Sequence, residues 1–127
     1  MKKIFLLIAI ATASTSIAQI KMPAPSPTQT ITQEFGLGKI ELSYSRPSIK
    51  GRELFKEGSE LAPLNNVWRT GANSATTLKF TDEVMIGGTT LKSGKYGLLT
   101  IPGKKEWIVI ISKDTTVNQA SSYKIEN

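Results

Sequence analysis

Alternation with a period of two dominates this chain. In Lys39-Ile40-Glu41-Leu42-Ser43-Tyr44-Ser45, Ile40, Leu42 and Tyr44 fall on one face. Charged and hydroxyl side chains fall on the other, which is the pattern of a half-buried strand. Thr28 to Glu34 alternates polar and β-branched residues, and Gly36-Leu37-Gly38 is a turn signal, so the two stretches are predicted to pair as a hairpin. Further strands are predicted at Ala75–Phe80, Val84–Ile86, Thr89–Leu91, Lys95–Ile101 and Glu106–Ser112. Thr81-Asp82-Glu83, Gly87-Gly88, Lys92-Ser93-Gly94 and Pro102-Gly103 separate them as turns. Trp107-Ile108-Val109-Ile110-Ile111 is an unbroken apolar run and reads as a central strand buried on both faces. Arg46 to Asn66 is irregular and is punctuated by Pro47, Gly51, Gly58 and Pro63. No window sustains a helical period. Short strands with frequent turns predict an all-β fold, an antiparallel β-sandwich. The polar stretch after Ser112 brings no closing strand, so the sandwich is expected to lack its last strands and to leave an edge open.

The N-terminus departs from this pattern. Lys2 and Lys3 precede an uncharged apolar run from Ile4 to Ala13, and Ser16 and Ala18 are small residues at −3 and −1 of a cleavage site before Gln19. This is the order of a secretory signal peptide, and the run is shorter than the ~20 residues of a membrane span. The chain therefore divides into a signal peptide over 1–18, a Pro-rich linker over 19–27 and a β-sandwich domain over 28–127. In the linker, Pro23, Pro25 and Pro27 favour an extended polyproline conformation. The expected location is outside the cytoplasm, periplasmic or extracellular, with no stable membrane insertion after cleavage.

Composition removes several chemistries. Among 127 residues there is no Cys and no His. A disulfide framework, a thiolate nucleophile, a histidine general base and imidazole or thiolate metal ligands are all excluded. No calcium-loop spacing occurs among the acids, so no metal and no cofactor is expected. Gly88 to Lys95 fails as a phosphate loop, because its glycine spacing is one residue too long, Tyr96 stands where Ser or Thr is required and no helix follows. Ser121-x-x-Lys124 lacks the companion motifs of a Ser/Lys hydrolase. No catalytic residue is assigned.

Charge carries the one positive signal. The formal net charge is +6, and removal of Lys2 and Lys3 lowers it to +4. Lysines are spread along the chain, but the three arginines, Arg46, Arg52 and Arg69, all lie between positions 46 and 69. A guanidinium offers a planar fork suited to carboxylate and phosphate, and irregular loops on a rigid sheet commonly hold binding residues. One reading is an anion-recognising cleft of Arg46, Arg52 and Arg69, with Thr70, Asn73 and Thr76 as neutral donors and Trp68 or Tyr44 as a stacking face. The other is architectural: the arginines pair with Glu41, Glu53, Glu57 or Glu60, Asn73 holds a left-handed turn after Gly71, and Trp68 belongs to the core.

Two stretches then carry a family resemblance. Tyr44-Ser45-Arg46-Pro47-Ser48-Ile49-Lys50-Gly51-Arg52 and Val67-Trp68-Arg69-Thr70-Gly71-Ala72-Asn73, with Ala75-Thr76, resemble the signature of domain-of-unknown-function family 2911. Gly94-x-Tyr96, Ile101-Pro102-Gly103 and Trp107 fit the same pattern, and the match spans residues 26–125. Leu64-Asn65-Asn66 departs from the family's Tyr-Gly type of approach to the tryptophan. The resemblance implies a small, mostly β, exported envelope protein of Bacteroidetes-type bacteria and supplies no activity. It also implies a chain shortened at its C-terminus, because family members continue through further strands.

Three function classes follow. The first is a non-catalytic envelope binding module for an anionic small molecule or glycan, its ligand a carboxylate, a glycan or a phosphate. The second is a structural or protein–protein interaction domain with an envelope protein as partner and the arginines as scaffold. The third is a hydrolase without His or Cys. Nucleic acid is not an expected partner of an exported chain.

Overall fold

A computed structural model describes residues 22–117 and 123. The signal-peptide reading of 1–18, the start of the linker and the Ser121/Lys124 pair lie outside the described residues. Among the described residues seven strands form: β1 (Thr28–Phe35), β2 (Gly38–Ser45), β3 (Thr76–Phe80), β4 (Val84–Ile86), β5 (Thr89–Leu91), β6 (Gly94–Pro102) and β7 (Trp107–Ser112). All pairings between these strands are antiparallel. A five-stranded sheet runs β1-β2-β3-β6-β7, and β4 with β5 makes a separate two-stranded ribbon. The fold is all-β and sandwich-like, as the alternation predicts.

Register decides which side chains share a face, because directly paired residues point the same way. Ile31 pairs with Leu42, Leu42 with Leu78, Leu78 with Tyr96, and Leu98 with Ile111. These residues, with Ile40 and Phe80, make one apolar face. The opposite face is hydroxylic over β1–β3, where Thr30 pairs with Ser43 and Ser43 with Thr77. It turns apolar over β6 and β7, where Leu99 pairs with Ile110 and Ile101 with Ile108. β6 is therefore covered on both sides: Tyr96, Leu99 and Thr100 are all buried, Leu99 to 1% exposure.

The cover on the Leu99 side comes from the chain after β7. Asp114 passes so close over Gly97 that its carbonyl oxygen occupies the space a Cβ would take, and Val117 is buried beyond it. The turn that directs this return is an Asx turn. Thr116 donates to Asp114 Oδ1 from its backbone N at 2.8 Å and from Oγ1 at 2.7 Å. The side-chain bond and then the backbone bond from Thr116 hold the exposed Asp114 carboxyl below the usual carboxylate range.

One strand sits elsewhere than its composition predicts. Trp107–Ile111 is not a central strand buried on both faces; β7 closes one side of the five-stranded sheet. Trp107, Ile108 and Val109 are 45%, 54% and 59% exposed. The doubly buried lane belongs to β6, whose Gly97 and Thr100 make it look less apolar in sequence.

Candidate functional site

The loop bearing the arginines is built as an interruption of a strand. Trp68 N donates to Thr100 O at 2.7 Å, and Thr100 N donates to Trp68 O at 2.9 Å, an antiparallel bridge on β6. Thr76 pairs with Leu98, only two residues away on β6. Residues 69–75 are thus squeezed out of the lane that β3 occupies, in the manner of an enlarged bulge. Upstream, Asn65 N donates to Pro102 O at 2.7 Å, so the long loop returns to the sheet along the end of β6.

The extruded segment is held from several sides. Thr70 Oγ1 lies 3.0 Å from Thr100 Oγ1, Thr76 Oγ1 donates to Thr70 O at 3.0 Å, and Ala72 N donates to Ser45 O at 3.2 Å. A Cβ on Gly71 would lie 2.8 Å from Thr76 Oγ1 and 3.1 Å from Ser45 O, so only glycine lets the loop seat against β2 and β3. Asn73 Nδ2 donates to Ser26 O at 3.0 Å, and Arg46 N donates to Pro27 O at 3.0 Å, which fastens the end of the proline-rich segment to the same corner.

Thr70 and Asn73 adopt left-handed backbone, with φ of 57° and 59°. Asparagine does so readily, and here it holds the left-handed position after Gly71. A β-branched threonine does not, and costs about 1–3 kcal/mol that surrounding contacts must offset. The bonds of Thr70 to Thr100 and Thr76, with a third from Thr70 Oγ1 to Trp68 O at 3.3 Å, are those contacts.

The eight residues singled out from the sequence do not converge on one cleft. Arg69 Nη1 reaches Asn73 O at 3.4 Å, so these two stay together with Thr70 in the extruded loop. Arg46 is exposed at the exit of β2, and its guanidinium has no hydrogen-bond partner among the described residues. Arg52 folds back on its own turn: Nε donates to Ile49 O at 3.0 Å, and Nη2 donates to Ser48 O. Ile49 O also accepts from Arg52 N at 3.0 Å, so the planar fork adds a second bond to that turn carbonyl and one to Ser48 O. Glu53, offered as a carboxylate partner for the arginines, pairs instead with Lys56. Tyr44 lies on the apolar face and donates from its hydroxyl to Gln29 Oε1 at 3.2 Å, across the β1–β2 pair.

Trp68 joins an aromatic cluster that sequence spacing does not reveal. Its ring centroid is 6.1 Å from Phe55 and 6.3 Å from Trp107, and Phe55 is 5.0 Å from Trp107. These are edge-to-face and tilted separations of the favourable kind. Trp68 Nε1 is buried and has no acceptor among the described residues. An orphaned buried donor costs free energy, so Trp68→Phe is expected to change unfolding stability by less than about 1 kcal/mol despite the smaller ring. Urea denaturation of the two chains checks this. A loss above about 2 kcal/mol means that the indole N–H has a partner.

Beside the extruded loop, on the hydroxylic face, lies a hollow of about 250 Å3. Thr28, Ser43, Ser45, Ser74, Thr77 and Thr115 line it with Lys95 and Ala75, and of the residues singled out from the sequence Tyr44 contributes to it. Thr28 Oγ1 is 2.9 Å from Ser45 Oγ. The sequence carried a signal for this surface, the period-two runs Thr28-x-Thr30-x-Thr32 and Ser43-x-Ser45, but only the sheet order brings them beside Thr77 and Lys95. Among the described residues no group of three His, Cys, Asp or Glu could hold a metal ion. No helix among them is long and apolar enough to cross a membrane.

A family model described as a protein of unknown function, DUF2911, matches residues 26–127. The chain belongs to this family. No curated protein and no solved structure matches it significantly. In this DUF2911 chain the motif Trp68-Arg69-Thr70-Gly71-Ala72-Asn73 builds the extruded, strained loop, and Tyr44-Ser45-Arg46 brings β2 into contact with it.

Proposed function

We propose that this DUF2911 chain is an exported, non-catalytic binding module of the cell envelope, and that the hydroxylic hollow with the 69–75 loop takes a carboxylated saccharide. The observation that carries this reading is the strained, over-held loop at the rim of a hydroxyl-lined hollow. Strain of the Thr70 kind persists at binding and switching sites more often than in ordinary turns. Arg46 follows Ser45 directly, and Arg69 is bonded to the residue before Ser74, so two guanidinium groups stand in the segments that border the hollow. Hydroxyl side chains exchange hydrogen bonds with sugar hydroxyls, and Arg46 and Lys95 supply charge-assisted bonds to a carboxylate. Arg52 drops out of the ligand set, because its donors are spent on Ser48 and Ile49. The placement outside the cytoplasm rests on the N-terminal Lys2–Ala18 pattern.

The test is a titration followed by amide NMR, using a short oligogalacturonate, the matching neutral oligosaccharide and inorganic phosphate. The expected result is saturable binding of the acidic sugar, with shifts at Ser43, Ser45, Ser74 and Thr77. Arg46→Ala is expected to weaken it about tenfold or more, the size of a charge-assisted hydrogen bond. Absence of saturable binding by all three probes overturns the reading. Equal binding of the neutral sugar removes the anionic part of it.

A second reading has one observation of its own. Arg52, and in part Arg69, bond backbone carbonyls of their own loops, as scaffold arginines do. A protein-interaction domain whose loop face docks an envelope protein fits that use.

A further inference from the structure

The extruded loop and the proline-rich segment meet at one corner of the hydroxylic hollow. Ser26 O accepts from Asn73 Nδ2 at 3.0 Å, and Pro27 O accepts from Arg46 N at 3.0 Å. The segment cannot zip further onto the sheet, because Pro23, Pro25 and Pro27 have no N–H to give to a ladder. It is a stiff strap held at its last two residues. Each anchoring contact has a hydroxyl of the hollow as its chain neighbour. Thr28 follows Pro27, Ser45 precedes Arg46, and Ser74 follows Asn73. Thr28 and Ser45 are also a register pair, with their side-chain oxygens 2.9 Å apart. The hollow therefore has a fixed floor, Ser43 and Thr77 paired on the β2–β3 ladder, and a rim whose hydroxyls stand where the strap is attached.

The identity of residue 73 points the same way. Its left-handed backbone, with φ of 59°, suits glycine and aspartate as well as asparagine. Of the three, only asparagine also donates from its side chain, and that donor is spent on Ser26.

We propose that Asn73 is a positioning residue of the hollow and that the proline-rich segment is a strap coupled to it: attachment at Ser26 and Pro27 completes the rim, and an acidic saccharide in the hollow holds the strap down in return. This coupling rests on the reading of the hollow as a saccharide site and adds its regulation. Reciprocity follows from linkage, since whatever factor the attached strap adds to ligand affinity, the ligand adds to strap attachment. Asn73 and Pro27 are exposed, so their bonds compete with water and open without unfolding the sheet. Tension on the proline-rich segment, or a partner bound to it, then weakens the hollow's hold on its ligand.

The test separates strap from ligand. Asn73→Gly keeps the left-handed backbone and removes the donor. Asn73→Asp keeps the shape and puts an acceptor in the donor's place. Asn65→Gly is the control, at a second left-handed asparagine with φ of 59° whose side chain makes no hydrogen bond among the described residues. Amide hydrogen exchange of the purified chain is followed at Arg46 N, with Trp68 N and Thr100 N of the β6 bridge verifying the fold of each variant. Both Asn73 variants are expected to speed exchange at Arg46 by about three- to tenfold, the range for one neutral hydrogen bond, with the bridge amides unchanged. Titration with oligogalacturonate is expected to show affinity lowered by about the same factor in both Asn73 variants and unaltered in the control. Saturating oligogalacturonate is expected to slow exchange at Arg46 in the unaltered chain. Unchanged exchange at Arg46 in both variants overturns the strap, whatever the ligand does. Faster exchange with undiminished binding overturns the coupling and leaves the saccharide reading standing. Full binding by Asn73→Gly alone means that residue 73 serves only the turn, and overturns its positioning role. If the unaltered chain binds no oligogalacturonate, the saccharide reading itself fails and the coupling falls with it, and that failure shows before any substitution is made.

Discussion

Leu99→Ala is expected to lower the unfolding free energy by about 3–4 kcal/mol, the upper part of the range for a large-to-small change in a packed core. Leu99 has the least exposed large apolar side chain in the described sheet, at 1%. It stands on β6 opposite Ile110, with β7 on one side and the returning 114–117 segment above its face. A truncated side chain at so buried a position leaves a void that its surroundings fill only in part. For a domain of this size the loss corresponds to a fall in Tm of about 12–25 °C. A typical domain holds only about 5–15 kcal/mol in all, so this one change removes a large share. Urea unfolding with an unchanged m-value measures it. Ile31→Ala serves as the contrast. Ile31 is 43% exposed on the polar-edged strand and is expected to cost less than about 1 kcal/mol. Similar losses at both positions would place the core elsewhere than under β6.

The same contrast explains what the sequence disclosed. The β1–β2 hairpin was legible because each of its faces has one character: Ile40, Leu42 and Tyr44 against Glu41, Ser43 and Ser45. β7 was misread for a physical reason. A continuous apolar run reports composition only: no residue of β7 is buried, and the run reports neither burial nor how many neighbours flank the strand. That number belongs to the order of strands, which is set by where the 46–75 excursion returns to the sheet. β6 carries a glycine and a threonine at Gly97 and Thr100 because it lies beneath close backbone, and they dilute its hydrophobic signal. The arginines show a second limit. Arg46, Arg52 and Arg69 are near in sequence, yet Arg52 spends its donors within its own turn, because the Ser48 and Ile49 carbonyls lie within reach of its fork. Arg69 and Asn73 do meet, because Gly71 and the left-handed Thr70 fold the chain back between them. The hydroxylic hollow was spelled out in Thr28, Ser43, Ser45 and Thr77. Its coherence appears only once β1, β2 and β3 are set side by side.

Gly97→Ala tests the least obvious element of the architecture, the return of residues 114–117 over the sheet. Gly97 is buried in the middle of β6, paired with Thr77 on one side and Ser112 on the other. A methyl group there meets the Asp114 carbonyl oxygen directly, with the Asp114 carbonyl carbon at 3.5 Å and Thr115 Cα at 3.7 Å. All three are backbone atoms and have no rotamer to yield. Overpacking of this kind costs about 1–3 kcal/mol, and the reduced freedom of the unfolded chain returns only about 0.4–1 kcal/mol. The cheaper response is for the 114–117 segment to lift, since the Asx turn of Asp114 and Thr116 is exposed and held by local bonds. Lifting uncovers Val117 and the Leu99 face, so stability falls by about 1–2 kcal/mol. The segment then becomes open to protease before the sheet unfolds. Limited trypsin digestion reads this at Lys113, where cleavage is expected to be faster in the variant under conditions that leave the sheet intact. The double variant with Leu99→Ala is expected to lose less than the two single losses combined, because both act through the same covering segment. Full additivity with no change at Lys113 would mean that the sheet, rather than the returning segment, absorbs the added methyl group.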